Sequence, residues 1–188
     1  MGDNETRSII IKAAEELFKQ KDYEDISIRE ICQLAGISIG AFYRHIGSKE
    51  QLFKIFHIQL GTEALKILFE RTDSKTPLEK IPIVLNIYVD FMIYFGYKFV
   101  KYFLSLSLEN ETFANPPGAI HTFLKEYITE ASKNGDLNSK YSIDYIFNAF
   151  YSSLRGAAFN WCIDLGKTDV RSDYSITLDI LLNEFKNK

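Results

Sequence analysis

Gly36, Ser38 and Gly40 fit G-x-S-x-G, the spacing that in some hydrolases holds a serine nucleophile on a sharp strand-to-helix turn. That chemistry needs a strand running into the serine and a histidine to take its proton. The three histidines, His45, His57 and His121, stand in no recognisable triad context. What precedes Ser38 is not a strand. Ser27 followed by Glu30 is a capping box, in which hydroxyl and carboxylate each satisfy an orphan backbone N–H. Ile28, Ile31, Cys32 and Ala35 then share one helical face, and Gly36 suits the left-handed C-cap that closes it. No βαβ alternation, metal-ligand spacing, phosphate loop or paired carboxylate accompanies the motif. The chain is therefore not expected to be an enzyme, and no metal or cofactor is expected.

The cap grammar repeats. Ser38 can open a third helix with Ile37 and Phe42 as its staple pair, and Ser48 with Gln51 opens a longer one from Lys49 to about Arg71. An earlier helix over 6–20 places Ile10, Ala13, Ala14, Leu17 and Phe18 on one face, ending at Asp22 and Tyr23. Two short helices joined by a glycine turn make a helix-turn-helix, whose second helix enters the major groove of DNA. Helical spacing puts Ile37, Phe42 and Ile46 toward the core and leaves Ser38, Ile39, Gly40, Tyr43, Arg44 and His45 outward.

That outward set has chemical sense. Gly40 lets the helix approach DNA closely. Tyr43, His45 and Lys49 can donate to phosphate oxygens, which fixes register without reading sequence. Lys49 also stands at a helix N-terminus, where free N–H groups favour an anion. Arg44 can serve either phosphate or base, and Arg29 can reach a phosphate or a guanine edge. Ser27, beside Arg29, is counted with the DNA-facing candidates.

Charge qualifies this reading. The net charge is −3, which by itself argues against nucleic acid. It is unevenly spread: residues 1–25 hold four basic and seven acidic residues, whereas 26–57 hold four basic and two acidic. A local patch matters more for docking than the total.

Past residue 72 the pattern stays helical. Thr76 and Pro77 suit a helix start. Helices are expected over about 77–95, 97–109, 119–134, 143–165 and 173–186, with 110–118 a loop; Ser142 and Ser172 are the expected caps of the last two. The most apolar stretch, 81–100, carries Asn86, Asp90 and Lys98, so it reads as a buried helix rather than a membrane span. The start of the chain is polar and acidic and does not read as a signal peptide. Cys32 and Cys162 suggest no disulfide framework and fit a reducing compartment.

Fifteen Phe and eleven Tyr are many for 188 residues, and most follow residue 85. Core packing claims most of them. The candidates to line a cavity are Tyr88, Phe91, Phe95, Phe103, His121, Phe123, Tyr127, Phe147 and Tyr151, several on common faces at i, i+4 spacing. A ligand there would be largely apolar or aromatic. In the last two helices, Phe147, Leu154, Ala157, Ala158 and Trp161 recur on one side, and Ile176, Leu178, Leu181, Leu182 and Phe185 give a second apolar face. Both stripes suit a dimer interface.

The run over residues 13–53, with "REI", "AGIS", the glycine two residues on, "FYRH" and "SKEQL", resembles the DNA-binding region of TetR-family transcriptional regulators. The resemblance covers about a fifth of the chain. It implies an all-α fold, with an N-terminal three-helix helix-turn-helix DNA-binding domain (1–47) followed by a larger helical ligand-binding and dimerisation domain (48–188). By position it implies phosphate contacts from Tyr43, His45 and Lys49, a base-facing stretch of Ser38, Ile39, Gly40 and Ala41, and a DNA contact from Arg29. Asp22, Ile26 and Ile46 depart from the family's usual Gly, Thr and Phe. Ile39, apolar at a base-facing site, suggests contact with a thymine methyl.

The expected function is a cytoplasmic, ligand-responsive DNA-binding regulator. It would be a repressor released from a palindromic double-stranded operator when a small-molecule effector binds, acting as a homodimer through its last two helices, with no membrane association. The competing reading is a small-molecule-binding helical protein or enzyme whose DNA-binding domain is vestigial.

Overall fold

The apolar positions of the first twenty residues recur every three to four, and they wind α1 (Asp3–Gln20), which buries Ile10, Ile11, Ala13, Ala14 and Phe18. The computed structural model describes residues 3–109 and 119–187, apart from the side chains of His57, Gln59, Leu60, Ala119 and Ile120. The expected loop at 110–118 lies outside the described residues. After α1 come a 3-10 turn (Tyr23–Asp25), α2 (Ile28–Ala35), α3 (Ile39–His45), α4 (Lys49–Thr72), α5 (Pro77–Glu109), α6 (Ala119–Lys133), α7 (Ile143–Ile163) and α8 (Val170–Phe185). No strand occurs among the described residues; one isolated antiparallel bridge joins Leu137 to Lys186.

The chain divides into two compact units, Met1–Thr62 and Glu63–Lys188. The division falls inside α4, whereas the expected domain boundary after residue 47 lies just ahead of that helix. The first turns of α4 belong to the smaller unit because Phe53 and Phe56 pack edge-on against Phe18, with ring centroids 5.9 and 5.6 Å away. Leu52, Phe53, Ile31 and Phe42 are fully buried there.

In the second unit α5 packs on α6, α7 and α8, and α7 packs on both α6 and α8. The core gathers Leu68, Val84, Leu85, Val89, Leu124, Ile128, Phe150, Leu154 and Tyr174. By length and composition α5 could cross a membrane, but Ile81, Val84, Leu85, Ile87, Val89, Met92 and Phe95 are buried in the protein's own core. The expected break near residue 96 is present: Gly96 takes φ 79°, ψ 164° inside α5, a conformation that favours glycine. Thr76 caps α5 through a full capping box with Glu79, the Thr76 N–H donating to Oε2 at 2.8 Å.

Two expectations change. The cap of α8 is Asp169, whose Oδ1 accepts from the N–H groups of Arg171 and Ser172 at 3.1 and 3.3 Å. Ser172 stands inside the helix, so α8 begins at Val170 rather than 173. The apolar stripes assigned to a dimer face mostly cover the unit's own core: Phe147, Leu154, Ala158, Trp161, Leu178 and Phe185 are buried. Phe159, Ile163, Ile176 and Ile180 are instead among the exposed apolar residues of α7 and α8, at 59, 62, 61 and 62%.

Candidate nucleic-acid interface

Three serines set the frame of the helix-turn-helix. The Ser27 hydroxyl accepts from the Glu30 N–H at 3.2 Å while Glu30 Oε2 accepts from the Ser27 N–H at 2.9 Å. Lys21 donates to Glu30 Oε1, and this bond, followed by those from Ser27, lowers the Glu30 carboxyl from the ordinary 4.5 to about 2. Ser38 Oγ accepts from the Ala41 N–H at 3.1 Å, and Ser48 Oγ from the Gln51 N–H at 3.0 Å. Between the first two caps, Gly36 turns at φ 65° and ψ 34°, and the Ile37 N–H reaches back to the Cys32 carbonyl at 3.0 Å. These bonds set the angle at which α3 leaves the turn.

Burial then sorts α3 by face. Phe42 is fully buried and Ile46 is 5% exposed, so both anchor the helix. Ser38, Ile39, Gly40, Tyr43 and Arg44 are exposed, as is Arg29 on α2, and Ala41 is half-buried. Ser27 is exposed, with its hydroxyl engaged in the cap.

Two members of the expected phosphate set are held by the protein itself. The His45 side chain is only 8% exposed; Nδ1 lies 3.6 Å from Asp3 Oδ1, and Nε2 lies 3.3 Å from Arg44 Nη2. Lys49 donates to the Tyr23 carbonyl, and its ammonium sits 3.9 Å from the centroid of the Tyr23 ring. Burial, which outweighs the surrounding carboxylates, lowers the Lys49 pKa. Sequence reasoning missed Asp3 and Tyr23 as partners, because nothing in a local pattern marks a carbonyl 26 residues away.

In the second unit the nine cavity candidates fall into separate groups. His121 lies 4.6 Å from the Phe147 ring and 5.3 Å from Tyr151, and Phe147 stacks on Tyr151 at 5.6 Å. Tyr88 belongs to this group: burial, then the Tyr151 hydroxyl, pushes its pKa up. Phe91 stacks on Phe95 at 6.3 Å along α5, and Phe123 pairs with Tyr127 at 5.9 Å. Phe103 is half-buried on α5. Arg155 was not among the candidates, yet its guanidinium lies 4.4 Å from the Tyr151 ring. The i, i+4 spacing of residues 151 and 155 was the available signal. Burial, then Lys125 and Arg155, lowers the His121 pKa.

None of the nine lines the cleft of about 530 Å³ between α7 and α8, whose walls include Gly156, Asn160, Trp161, Asp173 and Tyr174. Among the described residues no group of three His, Cys, Asp or Glu could hold a metal ion.

Comparison with known proteins agrees with this geometry. Residues 10–54 match the family described as "Bacterial regulatory proteins, tetR family". The chain is 37% identical over 79 residues to the uncharacterized HTH-type transcriptional regulator YerO of Bacillus subtilis, a stretch that is 40% of this chain and 27% of that protein. Matches of this kind span 27 to 39% of the length of the first two curated relatives. Among solved structures, a TetR transcription regulator from Haloarcula marismortui superposes with a TM-score of 0.82 at 14% identity, covering 98% of this chain and 100% of that one. The transcriptional regulator FadR from Bacillus subtilis, solved in complex with stearoyl-CoA, gives 0.76 at 17% identity, covering 94% and 98%. At those identities the structures establish the fold alone, and the family likeness rests on residues 10–54, the stretch that carries the helix-turn-helix.

Proposed function

We propose that the protein is a ligand-responsive transcriptional repressor that binds a palindromic DNA operator as a homodimer and leaves it when a small molecule occupies the second unit. The observation that carries this reading is the outward edge of α3. Ser38, Ile39, Gly40, Tyr43 and Arg44 are all exposed on a helix whose other side is sealed by Phe42 and Ile46. His45, its side chain almost covered, and the half-buried Lys49 act mainly as struts of that edge, with Arg29, Tyr43 and Arg44 as its freer phosphate and base donors.

The exposed Phe159, Ile163, Ile176 and Ile180 of α7 and α8 favour a homodimer. A two-fold pair places two copies of α3 on half-sites a helical turn, or a multiple of it, apart. For the effector, the aromatic groups around His121 and along α5 favour an apolar or aromatic body. FadR, a fold neighbour, was solved in complex with stearoyl-CoA, whose acyl chain is apolar. Such a regulator works in the cytoplasm and needs no membrane.

The test is fluorescence anisotropy of the purified chain with duplexes tiling the DNA upstream of its own gene, at low and high salt. A sequence-selective complex of two chains per duplex is the expected result. No binding to any duplex at low ionic strength would leave the alternative, a small-molecule-binding protein with a vestigial reading domain.

A further inference from the structure

Gly40 has no reason inside the chain to be glycine. It lies in α3 with an ordinary helical backbone, unlike Gly36 and Gly47, which take positive φ. A Cβ built on it meets only Ser38 Oγ, at 3.9 Å, which is ordinary contact distance. Alanine would therefore fit, and would favour the helix. The bare backbone at this exposed helical position leaves open space through which something outside the protein can come close.

The residue beside it narrows what that is. Ile39 is the first residue of α3 and is 48% exposed. One exposed isoleucine is ordinary on a protein surface. This one stands on the edge that would face the bases, next to the bare backbone of Gly40, and its side chain has no donor or acceptor. In the major groove the one apolar feature of a base edge is the C5-methyl of thymine.

We propose that Ile39 is a specificity-determining residue that reads a thymine methyl in each half-site, with Gly40 kept bare so that base edge and helix backbone can meet. This rests on the DNA-binding reading above and adds to it the base that α3 selects. Ser38 works beside it: its oxygen is engaged by the Ala41 N–H, which fixes the hydroxyl at the helix mouth with its hydrogen available to a neighbouring acceptor.

The experiment selects bound duplexes from a random pool with the full chain, then replaces each thymine of the selected operator by uracil, which removes only the methyl group. One thymine per half-site is expected to lose about fourfold in affinity on replacement, the worth of one buried methyl-sized group. Ile39→Ala is expected to weaken binding and to abolish that uracil penalty. Gly40→Ala is expected to keep or raise thermal stability while losing at least about tenfold in operator affinity, because a methyl group then stands where the groove must close. A selected operator indifferent to every uracil, an Ile39→Ala chain with the penalty intact, or a Gly40→Ala chain that binds normally overturns the assignment. A pool from which no duplex is enriched overturns the DNA-binding reading itself, so the two failures are distinguishable.

Discussion

The Lys49 ammonium donates to the main-chain carbonyl of Tyr23 and lies 3.9 Å from the centroid of its ring. One side chain thereby fastens the 3-10 turn after α1 to the first residue of α4. A charged hydrogen bond on a half-exposed cation is worth less than a buried one, so Lys49→Met should lower the stability of the reading unit by about 1 kcal/mol. If Lys49 also meets a phosphate, the same change lowers the slope of log affinity against log salt by about one. Chemical denaturation and salt titration of one variant separate the two roles. A stability loss with an unchanged slope assigns Lys49 to the fold alone.

The cap of α2 predicts an acid response. Glu30 falls from 4.5 to about 2 through its bonds with Lys21 and Ser27, so the folded state binds its proton more weakly than the unfolded chain does. Its contribution is complete above about pH 4.5 and is lost as pH falls toward about 2. Urea unfolding across that window should show the reading unit weakening, and Glu30→Gln should flatten the decline. Ser27→Ala, which removes the other half of the box, should cost about 1 kcal/mol at neutral pH. A decline of the same steepness in Glu30→Gln would place the titrating group elsewhere.

Neighbouring positions on α8 separate covering the core from pairing with a second chain. Leu178 is 3% exposed, Ile176 is 61% and Ile180 is 62%. Ile176→Asp with Ile180→Asp should leave the melting temperature of the dissociated chain close to that of the parent, because exposed substitutions rarely shift stability by more than about 0.5 kcal/mol. It should convert a dimer to a folded monomer in sedimentation and weaken operator binding with it. Leu178→Asp should instead unfold the second unit. A double variant that stays dimeric would move the interface off α8.

The same helices show what could be read from sequence and what could not. Capping is local, so Ser27, Ser38, Ser48 and Ser142 were legible from residues at most three apart, and each of these hydroxyls accepts the expected N–H. Asp169 rather than Ser172 caps α8, a choice that spacing alone does not make because both are good cap residues. Periodicity reveals that α7 and α8 have apolar sides. It does not say whether such a side meets the chain's own core or another molecule, and Trp161 and Leu178 lie in the unit's own core. The bond from Lys49 to Tyr23 and the approach of His45 to Asp3 depend on tertiary placement, which no short pattern carries.

Gly166 predicts the largest stability loss from a single methyl group. It lies in the turn just past the Asp164 C-cap of α7 at φ 73°, its N–H donating to the Trp161 carbonyl at 2.9 Å, while Cys162 Sγ reaches the Tyr97 carbonyl just past the break in α5. A Cβ at 166 would lie 2.7 Å from Tyr97 Cδ1 and 3.2 Å from Tyr97 Cβ. The ring edge can turn aside, but the Cβ moves only with the backbone of α5. Gly166→Ala therefore adds left-handed strain of about 1–2 kcal/mol to overpacking of about 1–3 kcal/mol. Tyr97→Ala removes Cδ1 and Cγ but keeps Cβ, so it should relieve the ring's share of the overpacking and leave the strain, and a double-mutant cycle should return a coupling of at least about 1 kcal/mol. Strict additivity would mean that the Tyr97 ring makes room at no cost.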